Sequence, residues 1–209
     1  MEDHLLFSEC KEAGKAAEPA ENAKKAKKAN KAGRQGTGLV HIYCGGGKGK
    51  TTAGMGLCLR AAGFGYRVLI CQFMKDTHSS ERRALSFVPG ITLMDGADKV
   101  KFSFRMTPEE KAEEKIRCKA RLDEAFRLAR EEGYDLLFLD EVIYSIRSGF
   151  VDEEDVLLHL ENKPDKLEVV MTGQDPGEKL LERADYVSEI RKVKHPFDHN
   201  QAARDGIER

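Results

Sequence analysis

The chain has 209 residues, of which 40% are hydrophobic, enough apolar material for one folded domain and an appendage. A formal net charge of −1 gives no overall attraction to nucleic acid or to an acidic membrane surface, and no apolar run is long enough to span a membrane. Five cysteines without a Cys-x-x-Cys pair argue against a disulfide framework or a structural zinc site, so we expect a reducing, cytoplasmic location.

Residues 1–37 differ in composition from the rest of the chain. They are rich in alanine, lysine, glutamate and glycine, have few large apolar residues after Phe7, and carry a basic run at 24–28. Such a segment cannot bury a core of its own, so we predict a flexible, basic, alanine-rich N-terminal arm at 1–37. A second interpretation is a flap that orders over bound substrate. The folded α/β domain is then predicted to cover 38–209.

The most informative segment is a glycine-rich loop between a strand and a helix. An apolar run at 39–43 predicts the strand, and Lys50 opens a segment with helical character. Backbone N–H groups of such a loop converge on an anion, and the helix dipole adds positive charge. Lys50 is placed to reach phosphate oxygens, and the Thr51 hydroxyl to bind Mg²⁺. The predicted nucleotide contacts are Gly45, Gly46, Gly47, Lys48, Gly49, Lys50, Thr51 and Thr52.

The loop departs from the usual phosphate-binding pattern. That pattern has a glycine at the position occupied here by Cys44. Nucleotide binding is therefore strongly indicated, whereas transfer or hydrolysis of the γ-phosphate is indicated less strongly.

After the loop, strand-like and helix-like segments alternate. Gly63 and Gly65 are predicted to end the first helix, and Thr107, Pro108 and Glu110 to start the longest one. Such alternation predicts an α/β fold of the P-loop NTPase type, a mainly parallel six-stranded sheet with helices on both faces. Strands are predicted at 39–44, 68–74, 91–94, 135–140, 167–172 and 186–191, and helices at 51–62, 108–132, 153–162 and 177–184.

The strand at 135–140 ends in two carboxylates, Asp140 and Glu141. A buried strand that delivers acids beside a phosphate-binding loop holds Mg²⁺ directly or through water. We predict Glu141 as the metal-side group together with Thr51, and Asp140 as a partly replaceable neighbour that orients water or the loop. The alternative is that the two carboxylates only begin a turn after the strand. The glycine-rich loop earlier in the chain makes this alternative less favoured.

No side chain stands out as an obvious general base, although His195 and His199 near the C-terminus could contact a ligand. His41 lies inside the first predicted strand, where we expect a structural role. A kinase or hydrolase usually needs a residue that orients or deprotonates its nucleophile. The pattern therefore points to a nucleophile that has no proton to lose.

Several motifs occur together in one order: Gly45 to Thr52, Arg60 to Gly63, Gln72-Phe73-Met74-Lys75, Leu139-Asp140-Glu141 and Lys194-His195-Pro196-Phe197-Asp198. With this combination the chain resembles the P-loop corrinoid adenosyltransferases over about residues 38–200. The resemblance implies transfer of the 5′-deoxyadenosyl group of ATP to the Co(I) centre of cob(I)alamin or a precursor corrinoid, with release of triphosphate. Co(I) is a strong nucleophile without a proton, which agrees with the missing base.

The same resemblance implies roles for individual residues. Lys50, Thr51 and Glu141 are implied as catalytic, and Arg60 as a further ATP contact. Two phenylalanines match a stretch with which the family displaces the lower axial ligand of cobalt, with Phe104 in place of Trp, and an extended segment would point both the same way. A homodimer and an electron donor such as a reduced flavoprotein are also implied. The implied corrinoid-side residues are Gln72, Lys75, Glu81, Phe102, Phe104 and His195.

Three positions depart from the family pattern. Gly46 stands where Asn is frequent, Asp76 where Gly is frequent, and Gln174 where Arg is frequent. Loss of an arginine near phosphates removes a bidentate contact and would weaken ATP binding.

Two other classes of function stay open from the residues alone. They are another P-loop enzyme, such as a small-molecule kinase or ATPase, and a nucleotide-binding regulatory module without turnover. A nucleic-acid partner has little support, because the Lys-Ala repeats of the arm lack interleaved aromatic residues.

Overall fold

The computed structural model describes residues 38–76, 79–96, 101 and 103–208, and the predicted arm at 1–37 lies outside this part of the chain. Within it, six strands form one sheet in the order β3-β2-β4-β5-β1-β6. Every neighbouring pair is parallel, which confirms the predicted sheet. The strands are β1 (Val40–Cys44), β2 (Val68–Gln72), β3 (Ile91–Leu93), β4 (Leu136–Asp140), β5 (Glu168–Thr172) and β6 (Tyr186–Glu189).

Helices cover both faces of this sheet, so the predicted α/β architecture is confirmed. Side chains alternate along β4. Leu136 and Phe138 therefore join one core with α1 and α2, whereas Leu137 and Leu139 join a second core with α3 to α6. The helices are α1 (Lys50–Phe64), α2 (Ser80–Leu85), α3 (Pro108–Glu131), α4 (Val142–Arg147), α5 (Glu153–Glu161) and α6 (Glu178–Arg183), with 3₁₀ turns at Ser103–Arg105 and Pro196–His199.

The sequence patterns predicted four of the six helices in the described part of the chain and missed α2 and α4. Thr107 and Glu110 form a reciprocal capping box ahead of α3, with Pro108 in its first turn. The helices α2 and α4 have six residues each, which gives only a weak helical period, although α6 has the same length and was predicted. Helix α1 runs through Gly63 and ends at Gly65, whose φ is 105°, so the predicted stop at Gly63 is wrong.

The described part of the chain contains no helix that is long and apolar enough to cross a membrane. Its four cysteines, Cys44, Cys58, Cys71 and Cys118, are free thiols in buried positions. Burial raises the pKa of the last three to about 12. These thiols are therefore protonated near neutral pH and act as small core residues.

A carboxylate on β5 anchors the start of β1. Glu168 accepts hydrogen bonds from the backbone amides of Gly38 and Leu39 at 3.2 and 3.1 Å. Its Oε2 lies 2.9 Å from Nε2 of His41, and the His41 ring stacks on Tyr186 of β6 with the centroids 4.7 Å apart. His41 thus joins side chains of β5, β1 and β6, which is the structural role predicted for it.

We expect Glu168→Gln to destabilise the fold by about 1–3 kcal/mol at neutral pH, because hydrogen bonds to a charged group are lost. Burial raises the pKa of Glu168, but the hydrogen bonds from His41 and the two amides outweigh it and lower the pKa overall. The stabilisation is therefore present above the ordinary carboxyl pKa and is lost as pH falls through the lowered value.

Urea unfolding from about pH 3 to pH 7 measures this dependence. The exposed Glu182 supplies the control, since Glu182→Gln should change stability little at any pH. A destabilisation by Glu168→Gln that stays constant to the acid end of the range would contradict the prediction.

Candidate active site

The phosphate-binding loop follows a path that favours glycine at two positions. Gly47 N–H donates to the Ile190 carbonyl oxygen at 2.7 Å, and a Cβ on Gly47 would approach that oxygen to 2.7 Å. Gly49, the N-cap of α1, has a φ of 119°, in the left-handed region. Because no side chain caps α1, the amides of its first turn are left to bind an anion. Lys50 begins the helix, and its Nζ donates to the Gly47 carbonyl at 2.9 Å.

Asp140, at the end of β4, is the centre of a buried polar cluster next to this loop. Its side chain is fully buried. Oδ1 accepts hydrogen bonds from the Thr51 hydroxyl at 2.9 Å and from the Thr172 hydroxyl at 2.7 Å. Oδ2 accepts from Lys75 Nζ at 2.8 Å and from Gln72 Nε2 at 3.2 Å. These five residues are called the Asp140 cluster below.

The strand order explains why these side chains meet. Strand β5 lies between β1 and β4, and the carboxyl ends of parallel strands reach the same edge of a sheet. Thr172 ends β5 and therefore stands between Thr51, which follows β1, and Asp140. Sequence reasoning assigned no role to Thr172, although its place at the end of a predicted parallel strand is a usable signal.

Lys75 is held by two carboxylates. Its Nζ lies 2.8 Å from Asp140 Oδ2 and 3.4 Å from Glu81 Oε1, and 3.2 Å from the Thr51 hydroxyl oxygen. Burial lowers the pKa of Lys75, but the charge and hydrogen bond of Asp140, with the charge of Glu81, outweigh that effect and raise the pKa. Lys75 is therefore an ammonium ion at neutral pH.

Gln72 is buried at 2% exposure, so this geometry does not support the implied contact with a corrinoid. Its Nε2 donates to Glu81 at 3.0 Å as well as to Asp140, while its Oε1 accepts from Arg82 Nη1 at 3.0 Å. Arg121 of α3 donates to the Gln72 carbonyl oxygen at 2.9 Å. Gln72 is therefore a positioning residue for two carboxylates. Neither arginine carries a sequence signal for this role, since arginines on helices are mostly exposed.

Glu141 follows Asp140 in the chain but has a different environment. Its backbone is left-handed, with a φ of 61°, and its N–H donates to the Thr172 hydroxyl oxygen at 2.8 Å. Its side chain lines a cleft beside Lys50 and Lys75. Burial and the neighbouring charge of Asp140 raise the pKa of Glu141. Asp140 thus belongs to the buried cluster, and Glu141 to the cleft wall.

Two adjoining clefts open at this edge of the sheet. The first has a volume of about 650 Å³ and lies over the loop. The second has a volume of about 720 Å³ and shares Lys50, Lys75, Glu81 and Glu141 with the first. The two clefts therefore adjoin along these shared side chains. The predicted site residues that line the first cleft are Gly46, Gly47, Lys48, Gly49, Lys50, Thr51, Thr52, Lys75, Glu81, Glu141 and His195.

Other predicted residues are placed elsewhere. Arg60 is exposed on α1, about 15 Å along the helix from Lys50, and it lines neither cleft. Its implied ATP contact is therefore not supported by this geometry.

Phe102 lies outside the described residues. Residues 103–105 form a 3₁₀ turn. The prediction of an extended backbone, which would point Phe102 and Phe104 the same way, is therefore wrong for residues 103–105.

Two of the departures from the family pattern have a local explanation. A Cβ at Gly46 would meet no heavy atom within 4 Å, so the loop geometry admits either glycine or a side chain there. Gln174 Oε1 accepts from Arg147 Nη1 at 3.4 Å. An arginine of α4 thus lies next to the position where the family frequently has one.

The oxygen atoms of Thr51, Asp140 and Glu141 are donors of the kind that Mg²⁺ prefers. Among residues 38–76, 79–96, 101 and 103–208, no three His, Cys, Asp or Glu side chains are grouped so that they could hold a metal ion. Mg²⁺ usually takes one or two carboxylates and completes its shell with water and substrate phosphates. The residues present therefore fit a Mg²⁺–nucleotide complex better than a permanently bound metal.

Comparison with known proteins gives one consistent family. A family model described as ATP:corrinoid adenosyltransferase BtuR/CobO/CobP matches residues 36–209. The corrinoid adenosyltransferase of Escherichia coli K12 is 32% identical over 171 residues, which cover 82% of this chain and 85% of the relative. Corrinoid adenosyltransferase CobA of Salmonella typhimurium LT2 shows the same identity and coverage. Among solved structures, a KaiC-like protein of Pyrococcus horikoshii OT3 aligns with a TM-score of 0.49 at 16% identity, covering 77% of this chain and 75% of that one.

Proposed function

The chain belongs to the ATP:corrinoid adenosyltransferase family, and we propose that it transfers the 5′-deoxyadenosyl group of ATP to the Co(I) centre of a reduced corrinoid at the clefts described above. The released product is triphosphate, and the reaction serves the synthesis or salvage of adenosylcobalamin. The observation that carries the assignment of the site is the hydrogen bond between Thr51 of the loop and Asp140 of β4, at 2.9 Å. It joins the two motifs on which nucleotide binding depends.

The proposed chemistry requires no general base. Co(I) attacks C5′ of the ribose, a Co–C bond forms, and the C5′–O bond to the triphosphate breaks. The nucleophile has no proton to lose, so the main demand is to stabilise negative charge on the leaving phosphate oxygen. The amides of the loop and the ammonium group of Lys50 are the groups we assign to this task.

Mg²⁺ is proposed as the cofactor, with Thr51, Asp140 and Glu141 as the residues that would hold it. When bound, it would supply positive charge to the phosphate oxygens of ATP. The protein's own contribution is to keep the donor oxygens in place, and the hydrogen bonds of Thr172 and Gln72 to Asp140 support that role.

The second cleft is the proposed place of the corrinoid. It adjoins the loop cleft, and Ser103, which lies between the two implied phenylalanines, lines it. Glu81 and Lys75, which line both clefts, remain proposed corrinoid-side contacts. His195 lines only the first cleft, and its corrinoid contact is proposed on the family resemblance. A reduced flavoprotein as electron donor, a homodimer, and an arm at 1–37 that covers the site are proposed on the family resemblance.

Product analysis tests the function directly. The protein is incubated anaerobically with ATP, Mg²⁺ and chemically reduced cobalamin, and the visible spectrum reports Co–C bond formation. We expect adenosylcobalamin and triphosphate in equal amounts. Formation of ADP would indicate a kinase or ATPase, and corrinoid binding without adenosylation would indicate a regulatory module.

A further prediction separates cobalt reduction from adenosyl transfer. If Phe102 and Phe104 displace the lower ligand, they act on Co(II), before transfer. Replacing either residue by alanine should then lower activity about tenfold or more when a mild reductant supplies the electron, a loss of the size expected for a missing differential contact. The loss should be much smaller when cobalt is supplied as Co(I). A folded double variant with equal losses under both conditions would refute the role.

A further inference from the structure

Lys75 binds the oxygen atoms that a metal ion at this site would need. Its ammonium group contacts the Thr51 hydroxyl oxygen and the Asp140 carboxylate, both of which are proposed metal ligands. We propose that Lys75 competes with Mg²⁺ for these oxygens and thereby makes metal binding depend on the nucleotide. This inference rests on the proposed ATP- and Mg²⁺-dependent function and concerns a residue that the family resemblance assigned to the corrinoid side.

The first argument concerns charge. Asp140 is fully buried, and a buried carboxylate without a counter-charge is strongly unfavourable. Lys75 provides that charge at 2.8 Å. A divalent cation on the same carboxylate would repel the ammonium group at close range, in surroundings where water screens the repulsion poorly. The two cations therefore exclude one another.

The second argument concerns the space into which the Lys75 ammonium group can move when it leaves Asp140. Its side chain is 25% exposed and lines both clefts, so the ammonium group has access to the space above the loop. Phosphate oxygens of a bound nucleotide would offer it a new anionic partner there. Metal ions without nucleotide offer no such partner, and displacement of Lys75 from Asp140 would then leave its charge only with Glu81 and Glu141.

The third argument concerns the contacts that hold the Lys75 ammonium group beside Asp140. Glu81 of α2 provides a second carboxylate for Lys75, at 3.4 Å. Gln72 donates to both Asp140 and Glu81, so one buried amide holds the two anions on either side of the ammonium group. Arg82 in turn fixes Gln72. These contacts hold the ammonium group at a fixed position beside the proposed metal ligands.

Mn²⁺ binding to the nucleotide-free protein, followed by electron paramagnetic resonance, tests the inference. Lys75→Met should bind Mn²⁺ about tenfold or more tightly than the wild type, because a nearby positive charge has been removed. Lys75→Arg retains the charge and should bind as weakly as the wild type. Lys179→Met removes an exposed charge that pairs with Glu154 on the surface, and it should leave the Mn²⁺ affinity unchanged.

Thermal melting provides a second readout. Lys75→Met leaves Asp140 without its partner, so its melting temperature should be lower without metal and should rise more with Mn²⁺ than that of the wild type. If Lys75→Met does not fold, Lys75→Gln retains a hydrogen-bond donor for Asp140 and should show the same gain in Mn²⁺ affinity.

Unchanged Mn²⁺ affinity in the folded neutral variants would overturn the inference, as would tight Mn²⁺ binding by Lys75→Arg. These measurements use no corrinoid, so they are independent of turnover. An active adenosyltransferase whose Lys75 variants bind Mn²⁺ no better would refute only this inference. A protein that follows the Mn²⁺ predictions but forms no triphosphate would refute only the proposed function.

Discussion

Replacement of Lys50 by alanine is expected to lower kcat by about 10²- to 10³-fold, the loss typical for removal of one group that stabilises developing negative charge. The effect should appear in kcat because the charge on the leaving phosphate oxygen grows in the transition state. In the structure Lys50 donates to the Gly47 carbonyl, a contact that water can replace, so the melting temperature should change little. Initial rates at saturating ATP, with cobalt supplied as Co(I), measure the effect.

A matched control distinguishes this loss from a general effect of removing a lysine. Lys179 of α6 is exposed and pairs with Glu154 on the surface, so Lys179→Ala should retain the wild-type kcat. A near-normal kcat for Lys50→Ala at saturating ATP would show that the loop is not the catalytic phosphate site.

Asp140→Asn is expected to abolish activity and to destabilise the fold by about 3–5 kcal/mol, the usual cost of breaking a buried ion pair. The change leaves the Lys75 ammonium group without its nearest anion. It also places an amide donor at one of the two oxygen positions, either where Thr51 and Thr172 require an acceptor or where Gln72 and Lys75 do. Urea unfolding measures the stability, and adenosylation of Co(I) cobalamin across a Mg²⁺ titration measures the activity.

Glu141→Gln provides the comparison. Its side chain lies on the cleft wall, so we expect stability close to the wild type and a higher Mg²⁺ requirement. The sequence ranks Asp140 as the more replaceable of the two acids, and the burial of Asp140 leads us to expect the reverse order. An Asp140→Asn protein with normal stability and metal requirement would show that the Asp140 cluster does not support the site.

Several features of this protein follow from the sequence because they are local. The strand, glycine loop and helix around Gly47 and Lys50 are consecutive in the chain, so spacing alone identifies a phosphate-binding site. The capping box before α3 is likewise read from Thr107 and Glu110. The acidic end of β4 is recognisable from an apolar run followed by Asp140.

Other features depend on contacts between residues far apart in the chain. The position of β5 between β1 and β4 brings Thr172 to Asp140, and spacing along the chain does not encode that order. The short helix α2 places Glu81 against Gln72 and Lys75, although six residues show no helical period. The sequence therefore determined which groups are proposed to bind the nucleotide. Only the tertiary structure decided that Gln72 is buried and donates to Asp140 and Glu81. It likewise decided that Lys75 contacts the proposed metal ligands Thr51 and Asp140. Both results depend on how the strands and helices pack.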